Sequence, residues 1–258
     1  MACIWLQQGY DPAHSLERVV PDGCAELIIN LREDRFSMPE GSAGAEARTF
    51  RGAVLSGTRS EYVILDTNSQ ASVMGVHFKP GGLFFFLSMP VSELHNEVQS
   101  LDSIWGHAAD ELRDRLLDAG SPSAKFRTME QFLLRIMRKS AQSHPAVDFA
   151  LRQFQHFPVQ RSIADLSGDL GLSKRYFIRL FADEVGITPK KYVRIRRFQE
   201  VLNRIHAAHE VNWAETALAC GYYDQAHFIH DFRTFSGINP STYLQNRGEQ
   251  QNHIPLHR

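Results

Sequence analysis

A chain of 258 residues, 43% hydrophobic and 22% charged, has the composition of a folded globular protein and excludes wholesale disorder. A formal net charge of −1 names no partner, and three cysteines (Cys3, Cys24, Cys220) are too few for a disulfide framework. They point to a reducing compartment, the cytoplasm; no secretory signal or apolar run of about 18 residues is visible, so no membrane partner is expected.

The first hundred residues read as short strands between turn signals. Leu16–Val20 runs into Pro21-Asp22-Gly23, a turn sequence. Cys24–Leu31, Phe50–Leu55, Tyr62–Leu65 and Val73–Phe78 are further strands, and Phe36–Arg48, rich in Gly, Ala, Ser and Glu, reads as a loop. Pro80-Gly81-Gly82 stops the last strand, and Leu83–Leu87 reads as a buried helical turn. This spacing predicts a small β-barrel or sandwich over residues 1–95. His14, His77 and His95 lack any His-x-His pairing, so no metal ligand is assigned. Cys24 reads as a small buried residue rather than a thiol sensor. No Ser/His/Asp set, Gly-rich phosphate loop or carboxylate pair stands out, and neither catalytic residues nor a cofactor are assigned.

Residues 96–157 read as a helical connector. Ala109, Leu112 and Leu116 form one amphipathic stripe, and Phe126, Met129, Phe132, Leu133 and Ile136 another. These faces suit packing on the barrel or dimerisation equally. His144-Pro145 opens a further helix, and Gln155–Arg161 is the expected boundary before the next unit.

From Leu172 to Tyr192 the chain writes a pattern that returns 51 residues later. Phe177/Phe228, Ile178/Ile229, Phe181/Phe232, Gly186/Gly237, Ile187/Ile238, Pro189/Pro240 and Tyr192/Tyr243 coincide. Ile163–Leu170 is a short helix, Gly171 permits a sharp turn, and Ser173 caps the next helix. Phe177, Leu180 and Phe181 face inward there, while Arg175, Ile178, Arg179 and Ala182 share the outer stripe. The second unit repeats this with Trp213–Ala219, Gly221, and an outer stripe of Ala226, Ile229, His230 and Arg233. Ala164/Ala214 and Gly171/Gly221 lie 50 apart, so one residue has been added around Tyr222-Tyr223. Lys190–Ile205 joins the units as a helix of about 24 Å. Residues 158–258 hold 13 Lys+Arg against 10 Asp+Glu, whereas residues 1–157 hold 15 against 19. Arginine reaches guanine edges bidentately and an apolar group meets a thymine methyl, so the outer stripes suit base reading.

These residues resemble the AraC/XylS family of bacterial transcription regulators. The resemblance rests on Ile163-Ala164-Asp165-Leu166, Gly171-Leu172-Ser173, Arg179-Leu180-Phe181 and Gly186-Ile187-Thr188-Pro189-Lys190-Lys191-Tyr192. It continues through Ala217–Tyr222, Asp224–Phe228, Phe232 and Gly237–Tyr243. It implies an α+β multidomain protein: a small cupin-like β-barrel sensor with flanking helices, then an all-α pair of helix-turn-helix units joined by a linker helix. The double unit spans 158–246 and a flexible tail 247–258. Double-stranded DNA is the implied partner, with a small-molecule effector, a second copy of the chain, and RNA polymerase if the protein activates. Base reading is expected from Arg175, Ile178, Arg179, Ala226, Ile229 and His230. Phosphate or edge contacts are expected from Ser173, Lys174, Lys190, Lys191, Arg194, Arg196, Arg197, Gln225, His227 and Arg233. Because Arg175 aligns with Ala226 and Arg179 with His230, the first unit should anchor binding and the second should be more pH-sensitive. The alternatives are a barrel enzyme or metal-binding protein targeted to DNA, and a regulator whose barrel is only a dimerisation scaffold.

Overall fold

The structure, a computed structural model, describes residues 3–39, 47–154, 162–207, 211–248 and 250–256. The expected domain boundary at 155–161 lies outside the described residues.

The N-terminal region is built on a five-stranded antiparallel sheet. Its strands are β1 (Cys3–Gln8), β3 (Ala25–Asn30), β6 (Ala53–Ser56), β8 (Ser72–Phe78) and β9 (Val98–Ser100), in the order β1-β8-β3-β6-β9. Side chains alternate across it. Leu27, Ile29, Met74 and Val76 face a helical layer, where they pack with Leu112, Leu116, Met129, Phe132 and Leu133. That layer is α1 (Leu101–Trp105), α2 (His107–Asp118) and α3 (Pro122–Ile136), so the amphipathic stripes of the connector are spent on the sheet. Each such fully buried side chain contributes about 1.5–3 kcal/mol. Ile28, Val54, Val73 and Val98 face the other way, toward Phe36, Met38 and Leu65. These last belong to a hairpin, β4 (Phe36–Pro39) with β5 (Ala47–Phe50), and to β7 (Val63–Asp66), the neighbour of β2 (Leu16–Val19). The stretch expected as a loop, Phe36–Arg48, thus has paired ends, with Phe36 opposite Phe50.

The expectation of a closed, cupin-like barrel is corrected. Among the described residues the strands form three separate open sheets, with β1 and β9 at the edges of the largest. A barrel needs a continuous hydrogen-bonded ring of staggered strands. Here β9 offers three residues, and Pro39 and Pro255 break the donor pattern of the small sheets. With α1–α3 covering one face, the large sheet has no need to curl on itself.

The third sheet closes over the end of the chain. β10 (His253–Leu256), within the segment expected as a tail, pairs antiparallel with β2, giving the order β10-β2-β7. Glu17 of β2 is 4% exposed and holds this join. Its carboxylate accepts from Tyr10 Oη and contacts His14 Nε2 at 2.6 Å and His253 Nδ1 at 2.8 Å. Burial pushes its carboxyl up, but the hydrogen bonds from His253, Tyr10 and His14 outweigh it and bring it down to about 2. A depressed carboxylate contributes stability that is complete above the unfolded value of about 4.3 and is lost as pH falls toward its folded value. The stability advantage of the wild type over Glu17→Gln should therefore be large at about pH 6 and shrink by about pH 3 in thermal unfolding. A gap independent of pH would show that this carboxylate does not hold the join.

Candidate nucleic-acid interface

The C-terminal helices form around phenylalanines at helical spacing. In the first unit, α5 (Ile163–Asp169) starts at Ser162, whose hydroxyl and the Asp165 side chain make a reciprocal capping box. α6 (Lys174–Val185) starts at Ser173, whose Oγ accepts from Tyr176 N at 3.3 Å. In the second unit, α8 (Trp213–Ala219) is capped by Asn212 and α9 (Gln225–Ser236) by Asp224, whose Oδ1 accepts from His227 N at 2.7 Å. Between them runs α7 (Pro189–Ala207), and after them α10 (Pro240–Asn246). Both α6 and α9 end in left-handed glycines, Gly186 and Gly237. The two-unit, all-helical architecture is as the sequence repeat implies.

One core serves both units. Phe181 lies 5.8 Å from Tyr192, ring to ring, and Phe154 of the segment after α4 (Pro145–Gln153) touches both. Phe198 lies 5.2 Å from Phe232 and 5.4 Å from Phe235. Tyr192 and Phe198 both belong to α7, so a single helix plugs each unit in turn.

The outer faces divide the expected contacts into three groups. Lys174, Arg175, Arg179, Lys190, Gln225, Ala226, His230 and Arg233 are exposed, as is Ser173, whose hydroxyl is engaged as a cap. Ile178, His227 and Ile229 are half-buried, Ile229 against the shared core. Arg194, Arg196 and Arg197 are also half-buried, and two of them face protein. Arg194 donates from Nε and Nη2 to Asp231, at 3.2 and 2.7 Å to Oδ1. Asp231 is 1% exposed, so this pair ties α7 to α9. Arg196 lies among the charges around Cys24 and Tyr192, toward the N-terminal region. Lys191 Nζ stands 3.5 Å from His95 Nε2 on that side too.

Two exposed aromatics escaped the sequence reading. Tyr176 is stacked by Arg179, whose Cζ sits 5.6 Å from the ring centroid. Tyr223, 91% exposed, stands at the turn before α9. The slip in the repeat offset from 50 to 51 is the signal that marks it.

Both units rest on the same N-terminal segment. Thr58 Oγ1 donates to Val185 O at 2.7 Å, and a Cβ on Gly186 would meet Thr58 Oγ1 at 2.7 Å. A Cβ on Gly237 would meet Tyr62 Cε1 at 2.5 Å. Glycine is required at both positions, by the left-handed backbone and by the close approach. Ser92 Oγ adds a bond to Asp183 Oδ1 at 3.2 Å.

Two helix-turn-helix units mounted on one helix define a double helix-turn-helix domain. Residues 166–246 match the family model described as a helix-turn-helix domain, and residues 1–100 match a domain of unknown function (DUF6597). The C-terminal region is a double helix-turn-helix domain. A probable transcriptional regulator, LumQ, of Photobacterium leiognathi is 32% identical over 89 residues, which is 34% of this chain and 36% of that protein. This chain thus matches about a third of the length of that curated relative. Among solved structures, the C-terminal domain of AraT, a response regulator from Geobacillus stearothermophilus, is similar over 43% of this chain and 92% of its own, at 22% identity and TM-score 0.38. ToxT from Vibrio cholerae is similar over 94% of this chain and 97% of its own, at 10% identity and TM-score 0.47. No helix among the described residues is long and apolar enough to cross a membrane.

The placement of Arg194 separates it from the other cations. Arg194→Ala removes the main partner of a buried carboxylate, leaving His227 at 3.9 Å, and should lower stability by about 1–3 kcal/mol. Lys190→Ala should leave melting unchanged and reduce the salt slope of DNA binding by about 1. Equal melting temperatures for Arg194→Ala and wild type would show that the pair is not structural.

Proposed function

We propose that this protein is a sequence-specific DNA-binding transcription regulator whose α6 and α9 read successive major-groove segments on one face of the duplex. The observation that carries this reading is the pair of capped, outward-facing helices on a single strut, α7, about 28 Å long. The resemblance of the two units to the AraC/XylS regulators, and the match to a probable transcriptional regulator over 89 residues, support a regulator over an enzyme delivered to DNA. Exposed Arg175, Arg179 and Tyr176 make the α6 face the richer in donors and stacking surface. α9 offers Gln225, Ala226 and His230, and Tyr223 extends that surface at its entrance.

An effector fits the same reading. A cavity of about 490 Å³ lies between the large sheet and the two small ones. Ile28, Phe36 and Met38 give it apolar walls, and Arg59 and Glu26 polar ones. Gln199 and Asn203 of α7 close one side, so a molecule bound there touches the helix that sets the spacing of the two reading heads. A second copy of the chain, and RNA polymerase if the protein activates, are further partners consistent with this role.

Selection of bound sites from random duplexes with the full chain should yield one bipartite motif with half-sites about one helical turn apart. Arg179→Ala should weaken binding to that motif by roughly 5–150-fold, corresponding to about 1–3 kcal/mol, and relax one base position. His230→Ala should cost less. Equal losses, or a motif with one half-site, would overturn the two-headed, unequal reading.

A further inference from the structure

Asp22, Cys24 and His77 bring a carboxylate oxygen, a thiol sulfur and an imidazole nitrogen together, these atoms all lying within 4.8 Å of one another. Two of the residues flank Gly23 in the turn before β3, and the third lies on β8. His77 Nε2 is 3.2 Å from Asp22 Oδ2, while Asp22 Oδ1 accepts from Cys24 N at 2.9 Å. The carboxylate is therefore oriented by the backbone of the turn and already engages the imidazole. All three side chains are half-buried, and all three line the cavity between the sheets.

We propose that Asp22, Cys24 and His77 form a binding site for a borderline-soft divalent cation, Zn²⁺ matching the donor set best. Zinc takes Cys sulfur, His nitrogen and Asp oxygen at about 2.0–2.3 Å, and open sites use three protein ligands and one free position. Around a tetrahedral ion such donors stand roughly 3.5 Å apart, so side-chain rotation alone brings the three atoms into range. The fourth position faces the cavity. Asp22 and a deprotonated Cys24 offset the charge of the ion, and Glu26, the cross-strand neighbour of His77, adds negative potential. Cys24 would bind the ion as a thiolate, releasing its proton. Cys3 is the cross-strand neighbour of His77 on its other side, which places a second sulfur on the same sheet face.

The position of the site gives it a consequence. A Cβ on Gly23, between two of the ligands, would lie 3.2 Å from Tyr192 Cε2 and 3.8 Å from Ile195 Cγ2. Pro21 O accepts from Gln199 Nε2 at 2.8 Å. A cation tying this turn to β8 stiffens the seat of α7, and so the spacing of the two helix-turn-helix units. This second step rests on the DNA-binding reading; cation binding itself does not.

The test uses the full chain loaded with Zn²⁺, dialysed, and assayed for metal by plasma mass spectrometry. About one zinc per chain is expected, falling to below half in Cys24→Ser and in His77→Ala and unchanged in Cys220→Ser. Loading with Co²⁺ should give a thiolate-to-cobalt charge-transfer band that Cys24→Ser abolishes. Thermal melting of the metal-free variants checks that each is folded. Absence of stoichiometric zinc in the wild type, or zinc and the cobalt band retained in folded Cys24→Ser, overturns the site. Operator affinity should change by at least about fivefold between metal-free and zinc-loaded wild type and not in Cys24→Ser. Identical affinities in both overturn the coupling, whereas a chain that binds zinc but no DNA counts against the DNA reading and not against the site.

Discussion

The helix α7 has to satisfy three bodies at once, and the rest of the structure follows from how it does so. Tyr192 enters the first helix-turn-helix unit and Phe198 the second, while Ile195 and Gln199 lie against the N-terminal turn and the returning C-terminal segment. Tyr192, Ile195, Phe198, Gln199, Val201, Leu202 and Ile205 are all buried. A helix covered on so many sides cannot also offer all its cations to a phosphate backbone. Lys191, Arg194 and Arg204 end on protein partners, His95, Asp231 and Glu200, whereas Lys190 is exposed. Arg194 does this most completely, filling the otherwise untenable position of a buried Asp231.

The N-terminal region depends on the same helix from the other side. Its sheets need not close into a barrel, because α1–α3 cover one face and the hairpin, β2 and β7 lie over the other. The cavity left between them is bounded in part by α7. The segment from Thr58 to Tyr62 then meets the glycine caps of both recognition helices. Regulation in such an arrangement is a matter of differential affinity. A molecule in the cavity alters DNA binding only as far as it favours one placement of α7 over another.

The parts of this architecture written in local spacing were readable before the fold. The duplicated units repeat their phenylalanines, glycines and prolines because those residues make the same core and caps twice. The amphipathic stripe of α2 was readable for the same reason. What escaped depends on distant partners. β10 is four residues long, contains Pro255, and is a strand only because β2 lies beside it. The pairing of Arg194 with Asp231, 37 residues away, has no local signature. His77 carries no metal-binding signature, since Asp22 and Cys24 come from a turn on another element. Barrel closure was not legible, because a count of short strands says nothing about which edges pair.

The two units are unequal in their attachments as well as in their faces. The first is tied to the N-terminal region by Thr58 to Val185 and by Ser92 to Asp183. The second is tied chiefly to α7, through Arg194 and Phe198, and meets the N-terminal region where Gly237 approaches Tyr62. The unit with the more cationic reading face is thus the one fastened most directly to the cavity-bearing region. A shift originating at the cavity has two routes into the domain: directly into α6, and through α7 into the spacing between the heads. On the DNA-binding reading proposed above, the first would change how α6 sits, and the second whether both heads fit one duplex together. Because the exposed face of α9 carries fewer cations than that of α6, its occupancy on that reading would depend on the spacing, which is where a modest change in the seat of α7 would be felt most.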